Sequence, residues 1–189
     1  MTYTRRNKIL FILAIFLLLV ITSFFGWKAY RDAHPESYKT FQPYAPTNIV
    51  SGLRITDRYL EVWENHPMLW FAPSSTVVRL YLDRDNSYIT ESKNVNLGDS
   101  VCDAINVHCE EKTTLKGQTY LTKRTYSGSA SDMLSSEAAI YNRDGVRIAI
   151  QIKAIPAAPI SDEDWSAIID SFEPTTFTDL KVKHMQPGP

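Results

Sequence analysis

Cys102 and Cys109 are the only cysteines, set in the run CDAINVHC with six residues between them. Redox-active pairs usually have two intervening residues, so this spacing suits a structural bridge better than an exchange reaction. In an oxidising compartment the pair closes an eight-residue loop. Chain entropy makes such a closure worth about 2.5 kcal/mol. The competing chemistry is metal binding through Cys102, His108 and Cys109. A structural zinc site takes four ligands, and Asp103 or Glu110 would have to complete the set. Two separate reduced thiols, as in a cytoplasm, are the remaining alternative. The expectation is a Cys102–Cys109 disulfide, with no metal and no cofactor.

Other reactive patterns are weaker. Asp83, Asp85 and Ser87 imitate the opening of a calcium loop, but Tyr88 and Asn94 stand where that loop needs Gly and an acid. A polar hairpin turn explains them better. His34, His66, His108 and His184 are scattered, and the chain has no His-Glu-x-x-His. It has no Gly-x-Ser-x-Gly and no Ser-x-x-Lys, and its seven glycines form no phosphate loop. No catalytic residue is assigned.

Trp63, Met68, Leu69, Trp70 and Phe71 make an apolar aromatic cluster bounded by Pro67 and Pro73. Such a cluster can fill a core beneath a sheet, dock a partner or an apolar ligand, or touch a membrane interface. It is the candidate binding surface at this level, because loops carry function more often than ladders do.

These residues need a scaffold and a location. Residues 9–27, ILFILAIFLLLVITSFFGW, carry no charge. As a helix they reach roughly 28 Å, close to the thickness of a bilayer's hydrocarbon layer. A cleaved signal peptide has a shorter apolar region and a small-residue processing site, whereas Phe24-Phe25-Gly26-Trp27 is a poor one. An uncleaved anchor is the expectation. Arg5, Arg6 and Lys8 crowd the short leading tail, while Lys28 and Arg31 are diluted beyond the span. That bias puts the N-terminus inside and the rest outside. The partner of residues 9–27 is then the lipid bilayer.

The expected organisation is a cytoplasmic tail (1–8), a transmembrane helix (9–27), a stalk (28–43), an extracytoplasmic domain (44–177) and a disordered tail (178–189). Residues 41–177 hold 12 Lys and Arg against 18 Asp and Glu. That acidic balance disfavours nucleic acid as a partner. The strand signals are residues 76–82, 88–90, 118–126 and 138–154. In the last of these, Asp144-Gly145 turns a hairpin and Val146, Ile148, Ile150 and Ile152 share one face. Residues 55–63 suit a strand or a helical turn. Ser161 caps a helix whose Trp165, Ile168, Ile169 and Phe172 form one stripe, and Pro174 ends it. The predicted fold is α+β: an N-terminal transmembrane helix, then an antiparallel sheet with a C-terminal helix packed on one face.

Residues 138–174 resemble a family of small extracytoplasmic domains of unknown function in bacterial single-pass membrane proteins, anti-sigma-factor-like or sporulation-associated. The resemblance is carried by Asp144-Gly145-Val146 before an apolar strand, Ser161 four residues ahead of Trp165, Ile168-Ile169, and Ser171-Phe172. Residues 46–55, with Gly52-Leu53, look like the family's start. The resemblance implies a membrane-tethered sensor or interaction domain and carries over no catalytic residue. Two functions are therefore weighed: an anchored extracytoplasmic module that binds an unidentified membrane or envelope protein, and a small anchored hydrolase with a dispersed active site. A cleft holding a perturbed histidine or carboxylate beside a nucleophile would favour the second.

Overall fold

A computed structural model describes residues 5–49, 53–63, 75–83, 87–93, 102, 104–127, 133–153 and 159–185. Its first element is the helix α1 (Arg5–Ala33), which passes the predicted end at Trp27. A run of Leu, Ile and Phe closes every backbone bond within itself but leaves its side chains to find cover. Here the domain buries none of the apolar window: Phe16 is 66% exposed and Leu18 62%. Residues 8–33 are long and apolar enough to cross a membrane.

The stalk expected over residues 28–43 is not a free linker. After α1 the chain makes a 3-10 turn (Pro35–Tyr38), and Tyr38 and Phe41 are buried in the domain's core. The Arg31 guanidinium lies 4.0 Å from the Tyr38 ring centre. The Tyr38 hydroxyl donates to Asp32 at 2.7 Å, and Asp32 also pairs with His184 at 2.9 Å. Polar neighbours hid these aromatics in the sequence, yet two rings offer enough apolar surface to repay burial.

Ten strands follow. They are β1 (Tyr44–Pro46), β2 (Ile55–Trp63), β3 (Ser75–Leu82), β4 (Tyr88–Ser92), β5 (Val107–Thr113), β6 (Thr119–Tyr126), β7 (Leu134–Arg143), β8 (Val146–Lys153), β9 (Phe172–Pro174) and β10 (Lys181–Met185). The second helix, α2 (Asp162–Asp170), precedes β9. Eight strands form one sheet in the order β10-β2-β3-β4-β8-β7-β6-β5, and β1 pairs with β9 separately. Every pair is antiparallel except β10 with β2. The fold is thus α+β with a mostly antiparallel sheet.

Alternation decides the faces. Leu60, Val78, Glu91, Ile148 and Tyr141 are register partners across β2, β3, β4, β8 and β7. Leu80, Ile89, Ile150 and Ala139 form the adjacent row. All nine are buried, and their apolar members share one cluster with Trp165, Ile168, Ile169 and Phe172. The β7–β8 turn carries Asp144 at φ 50° and Gly145 at φ 76°, the left-handed pair that Asp-Gly supplies readily. Ser161 caps α2 by accepting from the Asp164 N–H at 3.1 Å.

The disordered tail expected over residues 178–189 is corrected in part. Leu180 is buried, and Lys181 to Met185 add a parallel strand beside Tyr59 to Trp63. Nor is α2 the last element, since β9 and β10 follow it. Both sheet edges escaped the sequence reading. Glu110, Glu111 and Lys112 on β5, like Lys181 and Lys183 on β10, break any apolar alternation. Charges on an outermost strand oppose pairing with other chains.

Candidate functional site

The second face of the sheet carries a cavity of about 280 Å³. Two adjacent rows build it. One runs Arg79–Thr90–Ala149–Ile140, and the other runs Tyr88–Gln151–Ala138–Lys123. Ser136 and Thr125, partners in the next row, also line it. Ala138, Ile140 and Ala149 form an apolar floor of small and medium side chains. Five strands contribute, with a spacing of about 4.8 Å between neighbours, so the wall positions are set by the ladder rather than by loops.

The polar lining is rich in donors. The Tyr88 hydroxyl donates to Gln151 Oε1 at 3.0 Å, which leaves the Gln151 amide nitrogen unused. Among the described residues Lys123 has no ion-pair or hydrogen-bond partner. Arg79 lies with its guanidinium carbon 4.9 Å from the Tyr88 ring centre. It also faces Glu61 at 3.3 Å, and Glu61 is fully buried behind it. That contact is close enough for strong attraction but poorly aligned, since neither Glu61 oxygen accepts a hydrogen bond. No carboxylate lines the cavity among the described residues.

The cysteines meet this face at its edge. Cys102 and Cys109 form a disulfide with a Cα separation of 5.7 Å, as the spacing predicted. Cys109 is the register partner of Lys123. The bridge therefore fastens the segment ahead of β5 one strand away from a cavity-lining cation. Replacing both cysteines by Ser is expected to lower the unfolding free energy by about 2.5 kcal/mol. A urea titration monitored by tryptophan fluorescence checks this, and reduction of the wild type should give the same shift. Full labelling of both thiols without reductant would contradict the bridge.

The core face holds a different kind of chemistry. Glu91 Oε2 accepts the Tyr44 N–H at 2.8 Å, and its other oxygen has no hydrogen bond. Burial pushes this carboxyl up to about 8, opposed by the Tyr44 N–H. Burial likewise raises the Tyr141 phenol, whose hydroxyl has no partner. The Tyr44 hydroxyl donates to Asp144 at 2.6 Å, which ties β1 to the β7–β8 turn. Glu137 works similarly at the other end: it pairs with Arg124 at 2.7 Å and accepts the Ile160 N–H at 2.7 Å. Glu91 and Glu137 thus each hold a backbone amide of a segment lying on the sheet. A second groove, of about 400 Å³, lies beside the start of α2, where Lys112 is neutralised by Asp162 at 2.6 Å and Glu110 at 3.1 Å.

The sequence-predicted residues fare unevenly. Trp63 ends β2, half-buried, beside Ser75 and Met185. Met68, Leu69, Trp70 and Phe71 lie outside the described residues, as does His66. Asp83 accepts the Arg54 N–H at 3.0 Å, and Ser87 accepts the Lys153 N–H at 2.9 Å, so both hold chain turns together. Asp85 lies outside the described residues. His34 contacts the Tyr30 carbonyl at 2.8 Å, and His108 stands edge-on to Tyr126. No group of three potential metal ligands occurs among the described residues. Sequence reasoning missed Arg79, Lys123 and Gln151, and it missed Glu61 and Glu91. Comparison with known families, characterised proteins and solved structures finds nothing that matches this chain.

Proposed function

We propose that this chain is a membrane-anchored extracytoplasmic binding module, with α1 in the bilayer and the sheet domain outside. The observation that carries this reading is α1: its residues 8–33 have spanning length and composition, and none of the residues in their apolar window is buried inside the protein. The disulfide supports an oxidising surrounding for the domain. Arg5, Arg6 and Lys8 ahead of the span support an inside N-terminus. The likeness of residues 138–174 to small extracytoplasmic domains points the same way. In this reading α2 closes the core face, and the second face, with its preformed cavity, meets the partner. Glu91, the described carboxyl with the most displaced acidity, sits in the core beneath Tyr44 and lines neither cavity. That arrangement suits binding better than hydrolysis. Tethering at the surface raises the effective concentration toward membrane and envelope neighbours.

The test is accessibility in intact cells. In a background with Ser at 102 and 109, Lys116→Cys is expected to react with a membrane-impermeant maleimide and Asn7→Cys only after lysis. The protein should stay with the membrane pellet in alkaline carbonate, with its mass retaining residues 1–27. The reverse labelling pattern, or a chain recovered without residues 1–27, overturns the anchored reading.

A further inference from the structure

We propose that the cavity on the second face is a binding site for a small organic acid. Lys123 holds its carboxylate or phosphate group, Arg79 lines the opposite end of the cavity, and a compact apolar body rests on Ala138, Ile140 and Ala149. This deepens the binding-module reading and does not depend on which side of the membrane the domain lies.

The charge arrangement carries the assignment. Two cations line the cavity, and one of them already faces a buried carboxylate, Glu61, at 3.3 Å. The uncompensated charge in the lining is the Lys123 ammonium, so the site suits one negative group. The hydrogen-bonding inventory agrees. Lys123 and the Gln151 amide nitrogen offer donors that no described residue uses, and the Ser136 and Thr125 hydroxyls are equally unengaged. A neutral ligand would need acceptors and donors in comparable number, whereas this lining presents mostly donors. The surrounding domain is acidic, with 12 Lys and Arg against 18 Asp and Glu over residues 41–177. It would repel a polyanion but not a small acid entering a local cationic cleft. At about 280 Å³ the space lies at the small end of ligand cavities. The walls stand on five hydrogen-bonded strands, so little ordering is required on binding.

The full chain in phosphatidylcholine nanodiscs is titrated calorimetrically with phenyl phosphate, benzoate and uncharged benzyl alcohol. Phenyl phosphate and benzoate are expected to bind saturably, with affinity falling as salt rises. Benzyl alcohol should bind at least tenfold more weakly. Lys123→Gln, which removes no structural contact, should lower phenyl phosphate affinity about tenfold, the size of one charge-assisted hydrogen bond. Ala138→Leu should abolish binding by filling the floor while keeping both cations. Dihexanoyl phosphatidylglycerol below its micelle concentration identifies the source: competition with phenyl phosphate points to a lipid headgroup, and its absence to a soluble acid. Equal binding of benzyl alcohol, or unchanged affinity in Lys123→Gln, overturns the acid assignment and leaves the topology test untouched.

Discussion

Glu91→Gln should abolish most of the loss of stability that the wild-type domain suffers between about pH 4.5 and pH 8. The Glu91 carboxyl has an ordinary value of 4.5 in the unfolded chain and about 8 in the fold, with burial as the main cause. Across that interval the folded state binds the extra proton, so unfolding releases it, and stability declines as pH rises. Below about pH 4.5 both states are protonated and the fold bears no penalty from this group. Above about pH 8 both are ionised and the penalty has reached its full size. That size is on the order of 5 kcal/mol, at 1.36 kcal/mol for each unit of displacement. Gln keeps an oxygen to accept the Tyr44 N–H and carries no charge. Its urea midpoint should therefore vary little across this range and exceed the wild type's at pH 8.5. Glu91→Ala separates the two roles. It also abolishes the slope, but it leaves the Tyr44 N–H without its acceptor, at about 1–3 kcal/mol at every pH. Trp165, fully buried in the same cluster, reports unfolding by fluorescence. A wild-type slope that persists in Glu91→Gln would move the effect to another group.

Glu91 also shows where the sequence stops being readable. In β4, Ile89 and Glu91 alternate onto the core face, while Tyr88 and Thr90 face the other way. From residue types alone the Glu reads as the place where a strand leaves the core. Only the arrival of β1 overhead, with its own unpaired amide, makes a carboxyl acceptable there. The β7–β8 hairpin and α2 were legible because their signals are local: Asp-Gly between alternating runs, and Ser161 ahead of an i, i+3, i+4 stripe. β5 and β10 were not, because an edge strand has one ladder and no strict need of apolar alternation. Residues 55–63 remained ambiguous between strand and turn because Glu61 breaks the pattern while being buried. The disulfide was legible because its partners are eight residues apart, inclusive. The cavity was not, because its lining comes from residues 79–151 on five strands, and register alone brings Arg79 and Lys123 to one hollow.

Arg79→Met is expected to destabilise the domain by about 3–5 kcal/mol, and Glu61→Gln in the same chain should restore most of that loss. Glu61 has no exposed surface, and the Arg79 guanidinium at 3.3 Å is its compensating charge. Lys183 is its register partner on β10, but the Lys183 ammonium turns over the Tyr59 ring, 5.8 Å from its centre. Removing Arg79 thus strands a carboxylate in a low-dielectric surrounding, and that uncompensated charge is what costs several kcal/mol. The converse single change is milder. In Glu61→Gln the guanidinium keeps 25% of its side chain in contact with solvent and its stacking on Tyr88. The asymmetry distinguishes a desolvation effect from simple loss of a favourable pair, which would cost the same whichever partner is removed. A double-mutant cycle read from urea midpoints should give a coupling of about 2 kcal/mol or more, within the range found for contacting residues. Additive effects would show that the Arg79→Met loss comes from packing against Tyr88.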